Sequence, residues 1–227
     1  MPDRLNARPP VGLPGPVCRW ATVAALLLAA GPASALCGGP LDQNNFRRPI
    51  DVNDPNDSGK VNIVVKHHFT PEVAALIRGE TAKLPGDIHY TLRHIPNHYE
   101  ALDAMARFQL RNPGLSDRYW TVDCYFERAF AFRPKDARLH LLYGTYLHRA
   151  KRLPQARTEY ESAEKLGLES SELDYNLGLL HYDMGDRKKS AEYARRAYAA
   201  GYPLPALRDK LRKAGYSIDT PADAPKP

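Results

Sequence analysis

The chain has 227 residues, 43% of them hydrophobic, and a formal net charge of +6, enough for one medium-sized globular domain with additional segments. The balance is only mildly basic, and no apolar run is long enough to span a bilayer, which excludes an integral membrane protein as the expectation. Residues 1–35 read as a secretory signal peptide. Arg4, Arg8 and Arg19 precede the apolar run Ala21–Ala30, and Pro32-Ala33-Ser34-Ala35 supplies an A-x-A cleavage site. Cleavage after Ala35 is expected to deliver the chain to the periplasm or outside the cell, with no transmembrane segment in the mature protein. Cys37 and Cys124 then remain, and an even count in an oxidising compartment favours a disulfide between them, pinning the N-terminal arm to the body. The alternative is an outer-membrane lipoprotein modified at Cys37, although Leu36 stands where such sites place a small residue.

Residues 36–69 read as an irregular N-terminal arm. Asp42 to Lys60 is rich in Asn, Asp, Pro and Gly, and Val61-Asn62-Ile63-Val64-Val65 reads as a short strand or an extended piece. A helical domain is expected over 70–216. Thr70 and Pro71 form a helix start, and Thr91 to Asn97 forms the end of the next helix. Tyr99 to Leu110 follows, with Leu102, Met105 and Ala106 on its packed side. A loop from Arg111 to Asp117 contains Asn112-Pro113-Gly114, and a second helix ends at Ala129-Phe130-Ala131-Phe132-Arg133-Pro134.

From Ala137 onward the sequence repeats. Leu141-Leu142-Tyr143-Gly144 reappears thirty-four residues later as Tyr175-Asn176-Leu177-Gly178. Each unit holds an amphipathic run, a break (Ala150-Lys151-Arg152, then Met184-Gly185-Asp186) and a second amphipathic run. Glycine inside a helix costs about 1 kcal/mol against alanine, so Gly144 and Gly178 mark places where the second helix comes close to the first. An amphipathic helix with Leu207, Leu211 and Ala214 on one side closes the array, and residues 217–227 read as a flexible tail.

This pattern resembles the tetratricopeptide repeat. The large–small pairs Tyr143-Gly144 and Leu177-Gly178 match its first helix. Ala156, Tyr160 and Ala163 match its second helix, with Ala191 and Tyr193 displaced by one place and Ala197 in register. Pro134 matches its closing proline, Pro203 sits one place late and the middle unit lacks one. The resemblance implies an all-α fold: a solenoid of antiparallel helix pairs with clear repeats at 137–170 and 171–204, an interrupted repeat at 99–136 and a capping helix at 205–215. It also implies a concave groove lined by first helices. By the family's pattern the groove-facing set is Arg107, Arg138, Leu141, Thr145, His148, Tyr175, Asn176, Leu179 and Tyr182, suited to an extended peptide with an acidic group. The lysine and asparagine set that clamps a C-terminal carboxylate in some relatives is not reproduced.

No catalytic pattern emerges: there is no C-x-x-C, no G-x-S-x-G and no H-E-x-x-H, so an enzyme is not expected. The histidines at 67, 68, 89, 94 and 98 lack ligand spacing, and neither a metal nor a cofactor is expected. The expected function is that of an exported scaffold holding a protein or peptide partner in its groove, in cell-envelope assembly by the resemblance. The alternative is a peripheral envelope protein. Its basic C-terminal helices (Arg187-Lys188-Lys189, Arg195-Arg196, Arg208, Lys210, Arg212, Lys213) would dock on anionic lipid or glycan; nucleic acid is not an expected partner.

Overall fold

The computed structural model describes residues 37–41, 46–114 and 119–218. The expected signal peptide and residues 219–227 of the expected tail lie outside the described residues. Among the described residues all regular structure is helical. A 3-10 turn, Pro55–Asp57, precedes α1 (Ser58–His68), α2 (Pro71–Ala74), α3 (Leu84–His94), α4 (Tyr99–Arg111) and α5 (Val122–Phe132). There follow α6 (Ala137–Arg149), α7 (Leu153–Lys165), α8 (Ser171–Asp183), α9 (Arg187–Ala199) and α10 (Ala206–Lys213). Among the described residues no helix is long and apolar enough to cross a membrane.

The boundaries follow from local chemistry. Asp136, Ser170 and Asp186 sit at the N-caps of α6, α8 and α9, where each side chain accepts a backbone N–H of the first turn. Gly167, Gly185 and Gly201 follow α7, α8 and α9 in the left-handed region that lets a helix end. The helices α6, α7, α8 and α9 each have 13 residues, and α8 and α9 start thirty-four positions after α6 and α7. Three-residue turns return α7 along α6 and α9 along α8, and these two pairs make the most extensive helix contacts. First helices also touch one another, α4 to α6 and α6 to α8, while α10 packs on α8 and α9.

Within the pairs the two helical glycines differ. A Cβ at Gly144 would stand 2.6 Å from ring carbons of Tyr160, which is wholly buried. At Gly178 the backbone of α9 comes close, with Ser190 O at 3.4 Å and Ala194 N at 3.5 Å from such a Cβ, and Leu207 of α10 enters from above the pair. Ser190 and Ala194, not Ala191 and Tyr193, therefore occupy the places of Ala156 and Tyr160. The helix registers require this, and the Ser190 hydroxyl donates to Gly178 O at 2.7 Å. Alanine at the place of Tyr160 lets the α9 backbone approach Gly178, and the remaining space is filled by Leu207.

The arm is not irregular throughout. Val61–Val65, expected as an extended piece, lies inside α1. Val61, Val64, Val65 and His68 recur at helical spacing on one face, and Val64 is buried against Ile50 and Ile95. Burial of that stripe overrides the extended preference of β-branched residues. Asp57, wholly buried before α1, accepts from Arg48 at 2.8 Å, Lys60 at 3.2 Å and the Asp51 backbone at 3.0 Å. The hydrogen bond from Arg48 holds its carboxyl far below the usual range. Six positions earlier, Asp51 accepts from Asn97 and pairs with Arg133, joining the arm to the turn before α4 and the end of α5.

The expected disulfide lies on the same side of the sequence. The Cys37 and Cys124 sulfurs are at bonding distance, with Cα atoms 5.5 Å apart. A sulfur in that bond cannot also carry a lipid thioether. Gly38, at φ 72°, lies flat on the Trp120 ring, and Arg128 donates to the carbonyls of Cys37 and Gly39 while stacking on the same ring at 4.5 Å. Segment 37–41 is thus sealed onto α5.

Two histidines of α3 are expected to make the fold acid-sensitive. Burial pushes His89 and His94 down from 6.5 to about 4, with Arg93 adding to the effect at both. His94 packs edge-on to Phe46 and Tyr90 at 5.3 and 4.3 Å, with its Nδ1 buried and unpartnered among the described residues. Between pH 6.5 and about 4 the unfolded chain therefore takes up protons that the folded chain refuses. This part of the stability is full above that window and is lost as the pH falls through it. The melting temperature is expected to drop from pH 7 to pH 5, and to drop less in His94→Phe. Equal drops in the two proteins would contradict the assignment.

Candidate functional site: a groove along the first helices

The expected groove residues lie along α4, α6 and α8, and all but Tyr182 line one of two cavities. Arg107, Arg138 and Leu141 line one of about 320 Å³ beside Ala74, Tyr99 and Glu172. Here Arg107 donates to Asp103 at 2.7 Å and to Ala74 O at 3.0 Å, and the Arg138 guanidinium sits 4.4 Å over the Tyr99 ring. Leu141 forms the floor, since only 4% of it is exposed.

Thr145, His148, Tyr175, Asn176 and Leu179 line the second cavity, of about 380 Å³. The Thr145 hydroxyl donates to Leu141 O at 2.9 Å and accepts from the Tyr160 hydroxyl at 3.4 Å, so it is anchored at both ends. Tyr175 is largely buried and stacks on Tyr202 at 4.3 Å, leaving only its edge for the cavity. Asn176 and Leu179 remain half-exposed. His148 bonds Asp183 at 3.2 Å, and burial lowers its pKa despite that carboxylate, so the imidazole is neutral at pH 7. Glu172 lines both cavities, so they adjoin at that residue.

Tyr182 departs from the expected set and lines neither cavity. Arg187 stacks on its ring at 3.6 Å, with Lys210 Nζ at 5.0 Å, and Arg187 also donates to the Tyr182 carbonyl. The first turn of α9 and the capping helix thus draw it into the α8–α9–α10 packing. Conversely, Lys151, Tyr202, Leu204 and Lys210 line the second cavity without having been expected there. Lys210 was expected only within the basic C-terminal cluster, and its place at the groove depends on how α10 lies against α8. No local periodicity reports that angle. Asp183 was the available signal, an acid at the end of a first helix facing two lysines.

Comparison with protein-family models, characterised proteins and solved structures found no match. The geometry alone therefore carries the functional reading. Among the described residues no three His, Cys, Asp or Glu side chains converge as a metal site would require. The histidines serve other contacts: His98 caps α4 through the Ala101 N–H, His68 bonds Asp87 at 3.0 Å and His89 bonds the Tyr125 hydroxyl at 2.6 Å.

The basic C-terminal cluster is substantially engaged within the fold. Arg196 pairs with Asp174 and Glu164, Lys210 with Asp183 and Arg212 with Asp209, while Arg208 stacks on Tyr198. Fewer cations face outward than the sequence count suggests.

Lys151, at the rim of the second cavity, has φ 61°, whereas Gly185 thirty-four positions later has φ 91°. A side chain in this left-handed region costs about 1–2 kcal/mol, partly offset by the rigidity that a non-glycine residue gives the unfolded chain. Lys151→Gly is expected to raise stability by about 0.5–1 kcal/mol in urea unfolding. A loss of that size would show that the Lys151–Asp183 contact outweighs the strain.

Proposed function

We propose that the chain is a tetratricopeptide-like α-solenoid that binds an extended segment of a protein partner in the groove along α4, α6 and α8. In this reading it acts outside the cytoplasm, as an exported scaffold in cell-envelope assembly. The observation carrying it is the placement of Thr145, His148, Tyr175, Asn176 and Leu179 around one cavity between two equal helix pairs. Half-exposed aliphatic and amide side chains beside tyrosine edges suit a peptide, whose apolar side chains need pockets and whose backbone needs hydrogen-bonding groups. The Cys37–Cys124 pair accords with an oxidising compartment.

Substituting Asn176→Ala together with Leu179→Ala tests the groove. The double variant is expected to lose partner capture while keeping its helical circular dichroism and any binding to anionic liposomes. Partner capture unchanged by the double variant, with liposome binding lost on deleting residues 205–227, would favour the lipid- or glycan-docking alternative.

A further inference from the structure

The two cavities carry opposite surpluses of charge. In the second cavity Asp183 faces two ammonium groups, Lys210 Nζ at 3.3 Å and Lys151 Nζ at 3.8 Å, as well as the neutral His148. Arg149 and Glu172 complete the charged lining, so three cations face two carboxylates and this end keeps a positive excess. At the first cavity two cations, Arg107 and Arg138, face three carboxylates, Asp103, Glu100 and Glu172. Asp103 is shared between Arg107 and Arg149, and Arg138 lies over Tyr99. Among the described residues Glu100 has only His98 within reach; burial lowers the pKa of that imidazole, whose Nδ1 accepts the Ala101 N–H. Glu172, exposed at the junction, has no ion-pair partner among the described residues. A negative excess therefore runs along Glu100 and Glu172, and a positive one lies at Lys151 and Lys210.

We infer that the occupant of this groove is an extended peptide of fixed direction, with an acidic residue seated at Lys151 and Lys210 and a basic residue seated at Glu100 and Glu172. The inference rests on the peptide-binding reading above and adds the chemistry and polarity of the ligand. Each cavity also offers an apolar wall, Leu141 and Leu142 in the first and Leu179 and Leu204 in the second. An aliphatic residue beside each charge fits both ends. Charges at such exposed rims set specificity and orientation more than total affinity, so reversing the peptide should cost more than removing one charge.

The full chain, immobilised, is used to select from a displayed library of short random peptides, and binders are then measured as synthetic peptides. Selected sequences are expected to carry acidic and basic residues at opposite ends. A synthetic peptide with its charges exchanged end for end should bind about tenfold more weakly. Lys151→Gln with Lys210→Gln should weaken the original peptide about fivefold and leave a peptide lacking the acidic residue unaffected. Glu100→Gln with Glu172→Gln should do the same for the basic end. Binders that ignore Asn176→Ala, or no binders at all, would remove the groove reading and this inference with it. Binders that need Asn176 but tolerate charge exchange would overturn the polarity alone.

Discussion

Gly144→Ala lowers stability by about 2 kcal/mol, whereas the same change at Gly178 is close to neutral. Alanine gains about 1 kcal/mol of helix propensity at either place, so the difference lies in what the new methyl meets. At Gly144 it meets the Tyr160 ring at 2.6 Å, and that ring is rigid, fully buried and tied through its hydroxyl to Thr145. Accommodating it means separating α6 from α7. At Gly178 the only close atom is the tip of Leu207 at 2.5 Å, a flexible end that can rotate, and the α9 backbone is already at ordinary contact distance. Melting temperatures of the two variants check this, with a fall of roughly 5 °C expected for the first and little change for the second. Equal effects would show that the pairs are packed alike, contrary to the Tyr160–Ala194 difference.

A larger loss follows removal of the disulfide. Cys37 and Cys124 are separated by 87 positions, and opening a loop of that size restores about 4–5 kcal/mol of chain entropy to the unfolded state. Cys37→Ser with Cys124→Ser should therefore shift the urea midpoint strongly and release segment 37–41 from Trp120, quenching or shifting tryptophan emission. The reduced wild-type protein should match the double variant. A midpoint unchanged by both treatments would show that the Arg128 contacts to Cys37 and Gly39 suffice to hold the segment.

How much of this was legible in sequence depends on how local the cause is. The limits of α6 to α9 were readable because Asp136, Ser170, Asp186, Gly167 and Gly185 act through neighbours within a turn. The nature of α1 was not, because its valines favour an extended chain and only Ile50 and Ile95, distant in sequence, supply the face that makes a helix preferable. For the groove, positions within α6 and α8 are assigned through the family resemblance. That assignment fails at Tyr182, because Arg187 and Lys210 arrive from two other helices to cover it. The shift from Tyr193 to Ala194 has the same origin: a family pattern aligns residue types, whereas the register of α9 against α8 is set by Ser190 and Leu207.

The central claim is that the face formed by α4, α6 and α8 is where a protein partner binds. Its most direct test places a photo-crosslinking amino acid at Thr145, Asn176 or Leu179 in living cells, with exposed Thr158 of α7 as the control, and identifies adducts by mass spectrometry. One recurrent partner is expected from all three groove positions, crosslinked through a single segment and absent from the control. Crosslinks from Thr158 equal to those from the groove, or no adduct from any groove position, would contradict the claim.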